Sequence, residues 1–223
     1  IARIDTRTDQ VDRIYRIKDP WNTCMSPDVI RYEPVHGHLY YTIPQRHTNV
    51  GIVDAHPPEE GCEDGGWHRM GADCVHSKKD VGRQPRDIEY VLVDGDPVFL
   101  FPIYFENAIA GLEHLETDPL SLTAGIYPHG IAIYERPATE SEPAEFRALI
   151  SSHETGQYLL VDEAGGIDRG YAGDSRTVDI GASQSKAKFY MALDSNDFKR
   201  IDARTGELRG RNLTSSLFFT LTE

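Results

Sequence analysis

The two ends of the chain carry nearly the same segment. Residues 1–11 read IARIDTRTDQV and residues 200–208 read RIDARTGEL, so both contain Arg-Ile-Asp followed, one residue later, by Arg-Thr. A segment that recurs within one chain indicates an array of small supersecondary units. The repeat therefore favours architectures that use one local unit several times.

The unit itself consists of short strands separated by polar turns. Apolar runs at 189–193 and 198–202 alternate with polar segments at 194–197 and 203–206. Aromatic and β-branched residues favour strands, whereas Asp, Asn, Ser and Gly satisfy the geometry of tight turns. This part of the chain predicts strand, turn, strand, turn, strand.

The same template fits much of the remaining sequence. Apolar runs that match it lie at 39–42, 50–54, 98–101, 106–113, 120–122, 146–150 and 158–162. A further apolar strand follows a proline at 27–32, 85–90 and 128–133. Together these runs predict units of four strands, the usual content of a propeller blade.

The chain ends complement each other in this scheme. Residues 217–220 supply a strand with no second strand after it, and residues 1–5 supply a strand with none before it. Pairing them would close a ring and leave no open sheet edge. We predict an all-β fold, a small β-propeller of about five blades closed by its terminal strands, with a β-trefoil or another β-barrel as the alternative. Residues 1–223 would form this single domain, with an inserted loop at about 55–84 that matches no strand template.

Two of the repeated segments resemble those of known propellers. PHGI at 128–131 and IDARTG at 201–206 are similar to repeats of the YVTN, gluconolactonase-like and streptogramin-lyase-like propellers. The resemblance implies a propeller fold with a site at the central channel. Gluconolactonase-like enzymes use residues of the same types as Glu106 and Asn107 to bind calcium, so the resemblance implies a calcium-binding role for these two residues.

The first strand of each blade lines the channel of a propeller, so its leading residues meet at one mouth. The alignment of the units places Asp28, Arg86, Asp87 and His129 there. We predict catalytic roles for Asp28, Asp87 and His129, and a substrate-binding role for Arg86. Glu106, Asn107 and Asp87 are the predicted ligands of a divalent cation, Ca²⁺ or Mg²⁺ in preference to Zn²⁺. The same groups would also serve as ordinary turn formers and strand caps.

The predicted insertion contains a second set of possible ligands. Cys62, His68, Cys74 and His76 are residue types that zinc prefers, although their spacing differs from that of CxxC knuckles. A Cys62–Cys74 disulfide explains the cysteines equally well in an exported protein. The three cysteines are an odd number, which argues against a complete disulfide framework. The sequence constrains localisation little and slightly favours export over the cytoplasm.

The overall charge excludes one class of partner. The net charge is −13, from 36 acidic and 23 basic residues, and no basic patch offsets it, so a nucleic-acid backbone would be repelled. No apolar run approaches the roughly 20 residues of a membrane helix, so no membrane partner is predicted.

These features lead to two hypotheses about function. The first is a small propeller enzyme that hydrolyses, or eliminates from, a small lactone or ester with the help of a cation. The second is a non-catalytic module that binds a glycan or another protein through aromatic pockets. Arg86, Trp67 and His38 are the predicted contacts to a small-molecule or glycan ligand. No G-x-S-x-G, Walker, GxGxxG or HExxH motif is present, which disfavours serine, nucleotide and zincin chemistry.

Overall fold

The described part of the chain is built from strands. The computed structural model describes residues 1–14, 27–43, 49–54, 75–93, 95–112, 120–123, 126–162, 164, 166–195 and 197–212. Every regular element in these ranges is a β-strand. The described residues contain no helix long and apolar enough to cross a membrane. In chain order the strands are β1 (Ala2–Asp5), β2 (Gln10–Ile14), β3 (Ile30–Glu33), β4 (His38–Thr42), β5 (Asn49–Asp54), β6 (Val75–Asp80), β7 (Glu89–Val93), β8 (Asp96–Ile103), β9 (Ala108–Leu112), β10 (Leu120–Thr123), β11 (Pro128–Arg136), β12 (Glu145–Ser152), β13 (Gln157–Asp162), β14 (Ile167–Tyr171), β15 (Thr177–Ser183), β16 (Lys188–Leu193), β17 (Asp197–Asp202) and β18 (Leu208–Asn212).

Consecutive strands pair to form five antiparallel sheets. The first sheet has two strands, β1 and β2, and each of the other four contains four strands in chain order: β3 to β6, β7 to β10, β11 to β14 and β15 to β18. This succession of four-stranded meanders confirms the predicted all-β propeller rather than a trefoil. We refer to the four larger sheets as blades one to four.

One boundary of the prediction is wrong. The expected insertion at 55–84 contains β6 at Val75–Asp80, which pairs with β5 as the outermost strand of blade one. An outer strand faces one neighbour only and is often polar, so the sequence VHSKKD shows no apolar alternation. Residues 55–74 lie outside the described ranges.

The predicted closure of the ring cannot be followed to the C-terminus. Among the described strands β1 pairs with β2 alone. Ile4 of β1 is 56% exposed, and residues 213–223, including Phe218, lie outside the described ranges. Closure by terminal strands therefore stays a prediction.

Neighbouring blades are joined by separate apolar layers. Tyr40 of blade one packs on Phe99 of blade two with ring centroids 3.9 Å apart. A second layer, containing Ile109 and Ile150, joins blades two and three, and a third, containing Leu149 and Phe189, joins blades three and four. The middle blades bury both faces, which explains their nearly continuous apolar strands.

Side-chain hydrogen bonds reinforce these contacts between blades. The Gln184 amide donates from Nε2 to the carbonyl of Ile133 at 2.8 Å and accepts at Oε1 from the N–H of Glu135 at 2.9 Å. Arg31 in blade one donates from Nε to the carbonyl of Ile88 in blade two at 3.1 Å. A polar side chain of one blade thus satisfies backbone groups of an adjacent blade.

The repeated segment forms the same turn at both of its locations. Asp202 accepts hydrogen bonds from the N–H groups of Arg204 and Thr205, each at 3.0 Å, between β17 and β18. Asp5 accepts one from the N–H of Arg7 at 2.9 Å between β1 and β2. Gly206 and its counterpart Asp9 both have positive φ, at 71° and 53°. The sequence repeat is therefore a repeated aspartate-capped hairpin.

A tyrosine covers a cross-strand glycine in two blades. Tyr41 pairs with Gly51, and Tyr158 pairs with Gly170. A Cβ atom added at Gly51 would lie 2.2 Å from Cζ of Tyr41, and one at Gly170 would lie 2.0 Å from Cζ of Tyr158. Each glycine leaves room for the ring that lies across it.

Candidate functional site

We call the first strand of each blade, β3, β7, β11 and β15, its inner strand. Residues at the start of these four strands, or just before it, enclose a cleft, which we call the axial cleft. It has a volume of about 270 Å³. Its polar and charged lining residues are Asp28, Arg31, Arg86, Asp87, His129, Ser151 and Asp179. The structure therefore brings together the four residues that the sequence placed at the channel mouth, Asp28, Arg86, Asp87 and His129.

Local irregularities in two inner strands shape this cleft. The register of β11 shifts between Pro128 and Ile131, and that of β15 shifts between Thr177 and Asp179. Such bulges change the direction in which a side chain points, and they occur often near functional sites. Gly130 lies at the first bulge, where an added Cβ would be 3.1 Å from Cγ1 of Ile180. The absence of a side chain there lets blades three and four approach each other closely.

His129 is held as a neutral imidazole. Its ring stacks on the ring of His153 with a centroid distance of 4.6 Å and an angle of 20°. Burial, followed by the effects of His153 and Arg86, lowers the pKa of His129 to about 4. Near neutral pH the ring is therefore unprotonated and presents a nitrogen lone pair.

Asp87 connects two blades through its carboxylate. It accepts hydrogen bonds from the N–H of Ile88 at 2.8 Å and from the N–H of Ile131 at 2.9 Å. Burial raises the pKa of Asp87, and these two hydrogen bonds and Arg31 oppose that effect. Because each carboxylate oxygen already has a backbone donor, the side chain has a clear structural role in addition to its predicted catalytic one.

Arg86 lies between an acid and an aromatic ring. One of its terminal nitrogens is 3.9 Å from the carboxylate of Asp28, and its guanidinium lies 5.5 Å from the ring centre of Tyr104. Its Nε is buried and has no hydrogen-bond partner in the described part of the chain. A buried donor without a partner is costly, so this atom suits an oxygen atom of a ligand.

The other predicted cation ligands are engaged elsewhere. Glu106 accepts a hydrogen bond from the N–H of Arg83 at 2.9 Å, and Asn107 accepts one from the N–H of Tyr127 at 2.7 Å. Both lie in the turn between β8 and β9, and neither lines the axial cleft. With Asp87 also bonded to backbone, the described geometry does not assemble these three side chains into one ligand set, and a cation here stays a prediction.

The remaining predicted residues lie away from the axial cleft or outside the described ranges. His38 begins β4 and pairs with Glu33, at the end of β3 remote from Asp28. Trp67, Cys62, His68 and Cys74 lie outside the described ranges, and His76 is described only as a backbone position in β6.

Sequence reasoning missed three cleft residues, Arg31, Ser151 and Asp179, and also His153. A signal for one of them was available, because Asp179-Ile180 repeats the pattern of Asp87-Ile88 at the start of an inner strand. Ser151 accepts a hydrogen bond from the N–H of Gly130 at 3.2 Å. That contact, like the stacking of His153 on His129, depends on pairing between strands that no local motif reveals.

Comparison with known proteins supports the fold and goes no further. No protein-family model and no curated protein matches the sequence. Among solved structures, the chain is similar to dihydro-heme d1 dehydrogenase NirN in complex with DHE, with a TM-score of 0.52 and 12% identity over 94% of this chain and 52% of that one. It is also similar to Hsv2p of Kluyveromyces lactis, with a TM-score of 0.54 and 8% identity over 90% of this chain and 54% of that one. The fold is a β-propeller. The chain spans about half the length of both structures, and identities this low concern the fold alone.

Proposed function

We propose that the axial cleft is the active site of an enzyme acting on a small lactone or ester. The observation that carries this proposal is the neutral imidazole of His129 in a cleft that also contains the buried Nε of Arg86. A base and an oxyanion stabiliser, held here by two adjacent blades, are the parts that such a reaction needs.

In hydrolysis, His129 accepts a proton from a water molecule while the water oxygen attacks the substrate carbonyl. The guanidinium of Arg86 donates hydrogen bonds to the oxygen that becomes negatively charged. The C–O bond to the leaving group then breaks, and the imidazolium returns its proton to the departing alkoxide. In an elimination the same base would remove a proton from the carbon next to the carbonyl, and the leaving group would depart with the electron pair.

We also propose that the axial cleft binds the divalent cation expected from the sequence, which takes part in none of these proton transfers. A cation would polarise the substrate carbonyl. The carboxylates of Asp28 and Asp179 line the cleft and are the side chains we propose as its ligands, because both Asp87 oxygens face backbone donors.

The test is hydrolysis of a panel of lactones and aryl esters by the purified chain, with and without EDTA. We expect activity that rises with pH through about 4 and then levels off, as His129 loses its proton. His129→Gln should lose at least about 100-fold in kcat, the usual contribution of a general base, whereas Lys186→Gln, in an exposed turn, should match the wild type. Activity equal in the two variants would overturn the proposal, and loss on adding EDTA would support the cation.

A binding module is the second candidate, and exposed aromatic rings favour it. Tyr104 contacts Phe105 and Tyr127, with ring centroids 5.2 and 5.8 Å away, next to Arg86. Phe105 is 52% exposed and Tyr127 is 50% exposed. Such rings stack on the apolar faces of sugars. Glycan titration of the wild type and Tyr127→Ala would support this alternative if binding occurs and weakens in the variant.

A further inference from the structure

The hairpin between β3 and β4 brings a carboxylate and two imidazoles together. Glu33, the last residue of β3, pairs directly with His38, the first residue of β4, and His36 lies in the connecting turn. Gly37 completes that turn with φ of 71°, a conformation that favours glycine. Directly paired residues of antiparallel strands have Cβ atoms about 4.5–5.5 Å apart, so the backbone itself places Glu33 beside His38.

The carboxylate of this group is unusually well buried. Glu33 is 0% exposed, and it accepts hydrogen bonds from the backbone N–H groups of Val35 and His36. Its Oε2 lies 3.0 Å from Nδ1 of His36. A buried carboxylate needs a cationic partner or a metal ion, and within the described residues the one ion-pair partner of Glu33 is this histidine, which is charged only when protonated.

The ligand atoms converge. One carboxylate oxygen of Glu33 and one ring nitrogen from each of His36 and His38 all lie within 4.8 Å of one another. The two imidazoles are nearly parallel, at 18°, with centroids 5.8 Å apart. The His36 side chain is 42% exposed, so it can turn toward an incoming ion. Within the described residues this is the one such group of three or more His, Cys, Asp and Glu side chains.

We propose that Glu33, His36 and His38 bind a zinc ion. Two imidazole nitrogens and one carboxylate oxygen are ligands that Zn²⁺ takes at about 2.0–2.2 Å, whereas Ca²⁺ and Mg²⁺ take oxygen ligands. Three protein ligands leave a fourth position of the tetrahedron for water or for an atom of a ligand. The ion would supply the buried carboxylate with a permanent positive partner.

This site is separate from the axial cleft. Asp28, just before β3, and Arg31, near its start, line the cleft, whereas Glu33 ends the same strand beside the turn that leads to β4. The site therefore does not depend on the proposed function, and the two can fail independently. It also uses none of the four residues Cys62, His68, Cys74 and His76.

The experiment is titration of the metal-stripped full chain with Zn²⁺, followed by calorimetry, and with Co²⁺, followed by visible absorption. We expect the wild type to bind one equivalent that His36→Ala and His38→Ala both lose, with the absorption of a tetrahedral Co²⁺ site disappearing in each. Glu33→Gln keeps a hydrogen-bonding side chain but removes the charge. It should weaken Zn²⁺ binding by more than about tenfold, because even residues that only orient a metal ligand contribute about 10–100-fold.

Two control variants separate this site from the others. His129→Gln should retain the zinc equivalent, since that residue lies in the axial cleft. The double variant Cys62→Ser/Cys74→Ser should also retain it. The proposal is overturned if His36→Ala and His38→Ala bind zinc as the wild type does, or if the equivalent disappears only in the cysteine variant. Zn²⁺ should raise the Tm of the wild type and leave that of His36→Ala unchanged, and a cooperative thermal transition of His36→Ala without Zn²⁺ would show that the variant is folded.

Discussion

The carboxylate of Asp87 accepts a hydrogen bond from the backbone N–H of Ile131, which belongs to the inner strand of the next blade. This contact ties blades two and three together beside the axial cleft. Asp87, for which the sequence predicts a catalytic role, thus also connects two blades. Loss of activity in an Asp87 variant alone would not distinguish the two roles.

Replacing Asp87 should therefore reduce stability. Asp87→Ala leaves the buried N–H of Ile131 without its partner, which costs about 1–3 kcal/mol in the free energy of unfolding. The measurement is urea unfolding beside Asp96→Ala, a change at an exposed aspartate. Equal unfolding midpoints for the two variants would show that the contact contributes nothing.

The free energy of unfolding should fall as the pH decreases from about 6.5 to 4. The folded-state pKa of His129 is lowered to about 4 from an ordinary 6.5, so the unfolded chain binds more protons in this window. The contribution of His129 is complete above pH 6.5, and at most about 3 kcal/mol is lost by pH 4.

A variant isolates this contribution from that of other groups. Burial raises the pKa of Glu89 to about 7, which favours the folded state at low pH and so has the opposite sign. The quantity to measure is therefore the difference in unfolding free energy between wild type and His129→Gln from pH 4 to 7. A difference that does not change with pH would contradict the burial of a neutral His129.

Adding one methyl group at Gly170 should destabilise blade three. The new Cβ would lie 2.0 Å from Cζ of Tyr158, so either the ring or the strand must move. Overpacking of this kind costs about 1–3 kcal/mol. Gly181→Ala is the matched control, because its Cβ meets no atom within 4 Å. Thermal unfolding of both variants checks the prediction, and a Tm for Gly170→Ala at or above that of Gly181→Ala would refute it.

Asp202 should contribute more to the free energy of unfolding than its ion pair with Lys188 alone. Asp202→Ala removes the acceptor for the N–H groups of Arg204 and Thr205 and also the partner of Lys188. We expect a loss of about 1–3 kcal/mol, typical of hydrogen bonds to a charged group. Lys188→Met removes only the ion pair and should cost less than about 1 kcal/mol. Equal losses in chemical unfolding would assign the effect to the ion pair.

Much of the fold follows from local sequence signals. Apolar runs such as 189–193 and the aspartate turns around Asp5 and Asp202 specify strands and hairpins within a few residues of themselves. Because each blade begins with an equivalent strand, aligning the units was enough to bring Arg86 and His129 together. Local physics therefore determines the units, and repetition determines how they are arranged.

The features that the sequence did not predict depend on pairing between strands rather than on a local motif. Strand β6 is polar and is defined by its pairing with β5, so its sequence alone resembles a loop. The stacking of His129 on His153 requires the register of β11 against β12. The convergence of Glu33 with His38 likewise follows from strand pairing. Register over this distance is set by whole strands and their turns, and a short motif does not contain it.

The apolar layers described above each belong to one pair of adjacent blades. Nearest-neighbour contacts make the free energy of such an array close to a sum over blades and interfaces. Divergence of the side chains within one layer would therefore disturb the two blades that the layer joins and leave the packing of the other layers unchanged. An architecture of this kind can vary one blade interface at a time over evolutionary time.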